Sequence, residues 1–198
     1  MAKRRRRTHY EFKPDKAPKV LQKLLHLTLL QRRQILQWTL YGLLCLFLLI
    51  LQDVILSRVS IGGGATTDLV PMAILLITVV SDVYNGSLFA IIASTLFVFS
   101  SSAPGPYVVA YITVLGIAAA FFRQSFWRRG FRSNILCAGL ALLFYELAVW
   151  GTGLFLGLTY WSRIGVFVLN WALSFGVMLA LYPLIRKIQK IGGELWRE

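Results

Sequence analysis

The 198-residue sequence has few of the residues from which catalytic and metal sites are built: 8 Asp and Glu, 2 His and 2 Cys. It contains no P-loop, no HExxH, no GxSxG and no paired Asp cluster suited to metal-assisted phosphoryl transfer. No Ser–His–Asp or Cys–His combination is placed within its apolar segments. We therefore expect no catalytic, cofactor-binding or metal-binding residues, and a protein that is not an enzyme.

The two cysteines, Cys45 and Cys137, lie in separate apolar segments without CxxC spacing. We expect them to be buried free thiols that behave as small hydrophobic residues. We also expect no cleavable signal peptide, because the first apolar run begins only at Ile35 and is long enough to remain as a span.

Long apolar runs are what the sequence has in abundance. Hydrophobic residues make up 57% of the chain, and its mean hydropathy is +0.66, which excludes a soluble domain with a polar surface. A helix needs about 20 apolar residues to cross a hydrocarbon core of about 30 Å. The sequence predicts an all-α, polytopic bundle of about six transmembrane helices, with a re-entrant hairpin over 69–103 as an alternative to two full spans. The apolar segments are 35–56, 69–81, 87–103, 107–122, 135–158 and 164–182.

The basic residues are distributed unevenly between these segments. If six segments cross a membrane, only Arg58 and Arg163 of the 21 Lys and Arg residues fall on the side opposite the termini. Cytoplasmic loops retain Lys and Arg, so we expect both termini in the cytoplasm. The net charge of +13 then indicates attraction to anionic lipids and not binding to nucleic acid.

The chain divides into four regions. Residues 1–16 are predicted to be a basic, disordered cytoplasmic tail, and 17–34 an amphipathic helix at the membrane interface. That helix is either an orientation anchor or a docking element for a cytoplasmic partner. The bundle is predicted over 35–185, with Pro183 ending the last span, followed by a short basic cytoplasmic tail over 186–198.

A few polar side chains lie inside the predicted spans. Glu146 occupies the middle of the fifth segment, where an acid must face protein or a water-filled cavity. Asn170 in the sixth segment and Gln52 in the first are its candidate partners, and Asp53 lies beside Gln52. These four residues are our candidate intramembrane site, with either a packing or a partner-binding role. We interpret Asp68 first as a boundary residue of the second segment.

The loop between the fourth and fifth segments combines aromatic and basic character. Trp127, Arg128 and Arg129 are candidate contacts for a partner protein or for lipid headgroups at the inner face. A simple anchor of topology is the alternative role for this loop.

Several short sequence patterns are found along about residues 35–191. The first span exits through LQDVILSRVSI at 51–61, and a Gly-rich turn leads to TDLV at 67–70. Gly86 follows the second apolar run, and the last span closes with YPLIR at 182–186. This layout resembles the bacterial rod shape-determining protein MreD family, small proteins of five or six spans with similar exit, PDLL, glycine and YPLLR-type patterns. Thr67 stands where the family typically has proline.

The resemblance implies a non-enzymatic scaffold of the cell-elongation machinery in the bacterial inner membrane. Such a scaffold regulates cell shape and guides peptidoglycan synthesis through protein–protein contacts. Its partners would be an MreC-like bitopic protein, the wall-building transpeptidase and glycosyltransferase, and the actin-like MreB at the inner face.

Two other functional classes remain open. The substrate-binding membrane subunit of an energy-coupling-factor vitamin transporter also has six short helices, and Asp53, Glu146 and Asn170 would then contact the vitamin. The first span lacks the Ala-x-x-x-Ala spacing through which many of these subunits dock, and the outer turns are short. An enzyme or exchanger with a proton-handling group has only Glu146 in its favour.

Overall fold

The structure is a computed structural model that describes residues 29–54, 67–100, 103–126 and 130–192. These residues are 89% helical and include no strand, in agreement with the predicted all-α class. Within them lie six α-helices, and a short 3-10 turn at Trp161–Arg163 precedes the last one. The helices are α1 (Leu29–Val54), α2 (Leu69–Val80), α3 (Val83–Phe99), α4 (Tyr107–Phe126), α5 (Phe131–Phe155) and α6 (Ile164–Ile191).

Four of these helices, α1, α4, α5 and α6, are long and apolar enough to cross a membrane. The other two are shorter, with 12 residues in α2 and 17 in α3. Large apolar side chains stay exposed on the outer faces of the long helices, among them Leu43, Phe47 and Ile50 of α1. Apolar surface on this scale is typical of helices that contact lipid, and it indicates a membrane protein.

Helix α2 lies at the centre of the bundle. All 12 of its residues are buried, and it contacts each of the other five helices. Its length is about 18 Å at 1.5 Å per residue. Because the residues at both ends of α2 are buried, both ends lie within the protein. The unpaired backbone groups at these ends therefore need partners from neighbouring helices.

Helices α2 and α3 form a tight pair joined at Ser81 and Asp82. The backbone N–H of Ser81 donates to the carbonyl of Ile77 at 2.9 Å, which closes the last turn of α2. A Cβ atom at Gly86 would lie 2.6 Å from the carbonyl oxygen of Thr78. Glycine at this position therefore allows the two backbones to approach more closely than any other residue would.

The helices alternate in direction. One cavity is lined by residues from the first halves of α1, α3 and α5 and from the ends of α2 and α4 and the second half of α6. We call this side of the bundle the basic end, because of the described Lys and Arg residues only Arg163 lies at the opposite end. The basic end carries Arg32, Arg33, Arg123, Arg132, Arg186, Lys187 and Lys190.

The last helix continues beyond the predicted end of the last span. Helix α6 passes through Pro183 and ends at Ile191. Proline removes one backbone N–H, which weakens a helix. However, Tyr182, Ile185 and Ile188 are all buried, so the packed face of α6 continues across the proline and holds the helix together.

Only part of the predicted terminal regions lies within the described residues. Residues 29–34 belong to α1, so this part of the predicted interfacial helix continues directly into the first long helix. The rest of that helix, the tail over 1–16 and residues 193–198 lie outside the described residues.

Candidate functional site

Glu146 lies on α5 and is only 2% exposed. Its carboxyl group is hydrogen-bonded to that of Asp68, the residue immediately before α2. An ionised carboxylate only accepts hydrogen bonds, so one member of the pair must be protonated and donate. The pair therefore carries at most one negative charge, which lowers the cost of placing it inside the bundle.

The start of α2 is held by side chains from two other helices. Gln52 Oε1 of α1 accepts a hydrogen bond from the Val70 N–H at 3.0 Å. Ser174 Oγ of α6 accepts one from the Asp68 N–H at 2.9 Å. Pro71 has no N–H that needs a partner. With Glu146 of α5, these contacts join α1, α5 and α6 at the first turn of the central helix.

Three polar atoms near this point are buried without a hydrogen-bond partner in the described part of the chain: Thr67 Oγ1, Glu146 Oε1 and Trp150 Nε1. Trp150 lies one turn after Glu146, on the same face of α5. Buried polar atoms without partners are uncommon in folded proteins. This cluster therefore keeps both a donor and acceptors for a further polar group.

The structure brings together some of the predicted site residues. Gln52 and Glu146 both lie around the start of α2, but the partner of Glu146 is Asp68 and not Gln52. Asp53 is exposed near the end of α1, and Asn170 is half-buried on α6, one turn before Ser174.

The sequence led us to interpret Asp68 first as a boundary residue of the second apolar segment and only second as a functional candidate, and not as the partner of Glu146. The signal was available, since a 13-residue apolar segment is too short to cross a bilayer. The inner-loop candidates Trp127, Arg128 and Arg129 lie outside the described residues.

A second polar site lies at the basic end. It is a cavity of about 370 Å³ between all six helices. Buried Arg123, Asn134 and Tyr182 form its floor, and exposed Arg186 and Lys190 stand at its rim. This volume falls in the range of small-molecule sites, about 300–1,000 Å³.

Arg123 caps the last turn of α2. It is 3% exposed, and its guanidinium group donates to the carbonyl of Val80 at 3.1 Å and to that of Ser81 at 3.1 Å. It also donates to Asn134 Oδ1 at 3.2 Å, and Gln189 Nε2 donates to the Val80 carbonyl at 2.8 Å. A cation at a helix C-terminus satisfies the last carbonyls and opposes the helix dipole. In the sequence Arg123 directly follows the fourth apolar segment, 107–122, and its capping role was not predicted.

The described residues hold no cluster of three or more His, Cys, Asp or Glu side chains that could bind a metal ion. Cys45 and Cys137 are free thiols, the first half-buried on α1 and the second buried on α5. The two polar sites are therefore built from hydrogen-bonding and charged groups at opposite ends of α2.

Comparison of the chain with protein-family models, curated proteins and solved structures finds no match. Its function therefore has to be inferred from its own residues and their geometry.

Proposed function

We propose that this chain is a non-enzymatic integral-membrane scaffold of the MreD type, which guides bacterial cell-wall elongation through protein–protein contacts. The observation that carries the proposal is a hydrogen bond between residues of two sequence patterns on which the family resemblance rests. Gln52, from the exit of the first span, accepts the N–H of Val70, from the TDLV pattern. Residues from two separate patterns thus form one interhelical contact, as expected of a shared architecture.

Two more of these patterns occupy close-packed positions. Gly86 allows the close approach of α2 and α3. Tyr182, from the YPLIR ending, accepts a hydrogen bond from Asn134 Nδ2 at 3.1 Å. These contacts support the resemblance, because residues from each of these patterns take part in a contact between two helices.

The proposed location is the bacterial inner membrane, with the basic end in the cytoplasm. The positive-inside rule supports this orientation, because the described Lys and Arg residues other than Arg163 lie at the end where α1 begins and α6 ends. Exposed apolar helix faces would then meet the membrane helix of an MreC-like partner and those of the wall synthases. The basic end would face MreB.

Site-specific photo-crosslinking in the native host tests this proposal. A photoreactive amino acid is placed at Phe47 on α1, Leu96 on α3 or Leu179 on α6, all exposed apolar positions. The control is Leu48, the neighbour of Phe47, which is 4% exposed. We expect a crosslink to the MreC-like protein or to a wall synthase from at least one exposed position, and none from Leu48.

Co-purification from native membranes in mild detergent provides a second readout, and depletion of the protein should make rod-shaped cells round. Recovery of MreC-like and wall-synthase proteins would support the scaffold. Recovery of ATP-hydrolysing subunits with a shared membrane coupling protein, together with a loss of vitamin uptake on depletion, would instead identify a vitamin-transporter subunit and overturn the proposal.

A further inference from the structure

The cavity at the basic end has features that a scaffold role does not use. Polar residues from five of the six helices line it, and its floor is almost fully buried while its rim is open. A site that only packs helices together has no need for such a space. A partner surface would use exposed positions, whereas Arg123 at the floor is 3% exposed.

The lining carries an excess of positive charge. Arg123, Arg186 and Lys190 line the cavity, and Asp82 is the single acidic residue among the described residues of its lining. The carbonyl end of α2 also points here, but Arg123 and Gln189 already donate to its last carbonyls. The negative end of the helix dipole is thereby covered, and the cavity retains its cationic character.

The lining is rich in hydrogen-bond donors. Arg186 and Lys190 lie one turn apart on α6, and Gln34 and Gln37 of α1 also line the cavity. Arginine and lysine with amide donors form the kind of group that recognises phosphate oxygens. Trp38 and Phe131 add an apolar portion to the same lining, which suits the uncharged part of a phosphate ester.

We propose that this cavity binds a phosphate ester anion, with the phosphate held by Arg186 and Lys190 above the fixed charge of Arg123. The same chemistry is offered by the headgroup of an anionic phospholipid and by a soluble phosphate ester. Basic pockets between membrane helices on the cytoplasmic side are typical sites for anionic headgroups. The proposal is independent of the scaffold role, since it depends only on the lining of the cavity.

The test uses the full-length protein in detergent micelles and two double variants that each remove two charges from the basic end. R186Q/K190Q changes exposed residues that line the cavity, and R33Q/K187Q changes exposed residues that do not. Lipid binding is measured by native mass spectrometry with phosphatidylglycerol, against phosphatidylcholine with the same acyl chains. sn-Glycerol 3-phosphate is tested separately by its shift of the thermal unfolding midpoint.

We expect phosphatidylglycerol to be retained in preference to phosphatidylcholine. R186Q/K190Q should weaken its binding by about 10- to 30-fold, since each basic residue contributes about 1 kcal/mol near an anionic group. R33Q/K187Q should change it by less than about twofold, because its charges act only through the surface potential. Unfolding midpoints close to that of the unmodified protein will show that both variants fold.

The lipid-binding and thermal-unfolding measurements together distinguish the source of the phosphate. Selective loss of phosphatidylglycerol binding in R186Q/K190Q supports a lipid headgroup site. Stabilisation by sn-glycerol 3-phosphate that is lost in the same variant supports a site for a soluble ester. Equal effects of the two double variants, or binding of neither anion by the unmodified protein, would overturn the proposal.

Discussion

Replacing Arg123 with methionine should destabilise the bundle more than any other change of a basic residue at its basic end. The guanidinium group makes hydrogen bonds to the carbonyls of Val80 and Ser81 and to Asn134. Val80 keeps its bond from Gln189 at 2.8 Å, so the variant loses the contacts to Ser81 and Asn134 outright.

The expected magnitude follows from these contacts. Hydrogen bonds to a charged group contribute about 1.5–3 kcal/mol each. Part of that loss is offset, because methionine removes the cost of burying a cation. We therefore expect Arg123→Met to lower the free energy of unfolding by about 3 kcal/mol. The matched control, Arg132→Met, changes an exposed arginine at the same end and should stay within about 0.5 kcal/mol of the unmodified protein.

A double-mutant cycle with Gln189→Leu sharpens the test. Alone, this change should cost little, because the Val80 carbonyl still accepts from Arg123. In the Arg123→Met background the same carbonyl loses both donors, so the combined effect should exceed the sum by about 1 kcal/mol. The assay is equilibrium unfolding by dodecyl sulfate titration in mild detergent, followed by far-ultraviolet circular dichroism. If Arg123→Met and Arg132→Met unfold alike, the proposed capping of α2 is refuted.

Two further stability predictions concern the opposite end of α2 and its contact with α3. Glu146→Gln should change the free energy of unfolding by less than about 1 kcal/mol, because the glutamine amide can still donate to Asp68. Glu146→Leu cannot donate and should lower the free energy of unfolding by about 3 kcal/mol. Equal effects of the two variants in the dodecyl sulfate titration would contradict a pair of carboxyl groups that shares one proton. Gly86→Ala should cost about 1–3 kcal/mol because its Cβ would meet the carbonyl of Thr78 at 2.6 Å. Gly176→Ala, with nothing within 4 Å, should be neutral or stabilising by up to about 1 kcal/mol in the same titration, and the reverse order would refute the close approach of α2 and α3.

The positions of the helices could be predicted from the sequence because each is a nearly unbroken apolar run. The starts predicted at Leu69, Tyr107 and Ile164 agree with those of α2, α4 and α6. The end of α6 could not be predicted, because Pro183 breaks the local pattern while tertiary packing continues beyond it.

The two polar sites were harder to predict, because their contacts join distant parts of the chain. Arg123 and Val80 are 43 residues apart, and Asp68 and Ser174 are 106 apart. The periodicity of a sequence gives no information about contacts between residues so far apart in the chain. What the sequence does contain is an apolar segment too short to span a bilayer. A helix of this kind has both ends inside protein, so polar side chains from other helices should be sought at each end.

The cytoplasmic orientation of the basic end is central to the proposed scaffold role, and cysteine labelling measures this orientation most directly. Lys187→Cys places a thiol at the basic end and Arg163→Cys places one at the opposite end, both at exposed positions. The parent protein, with its half-buried Cys45 and buried Cys137, is the background control. With a membrane-impermeant maleimide on intact spheroplasts, we expect labelling of Arg163→Cys, and labelling of Lys187→Cys only after permeabilisation. Labelling of Lys187→Cys in intact spheroplasts would place the basic end outside and contradict the cytoplasmic orientation.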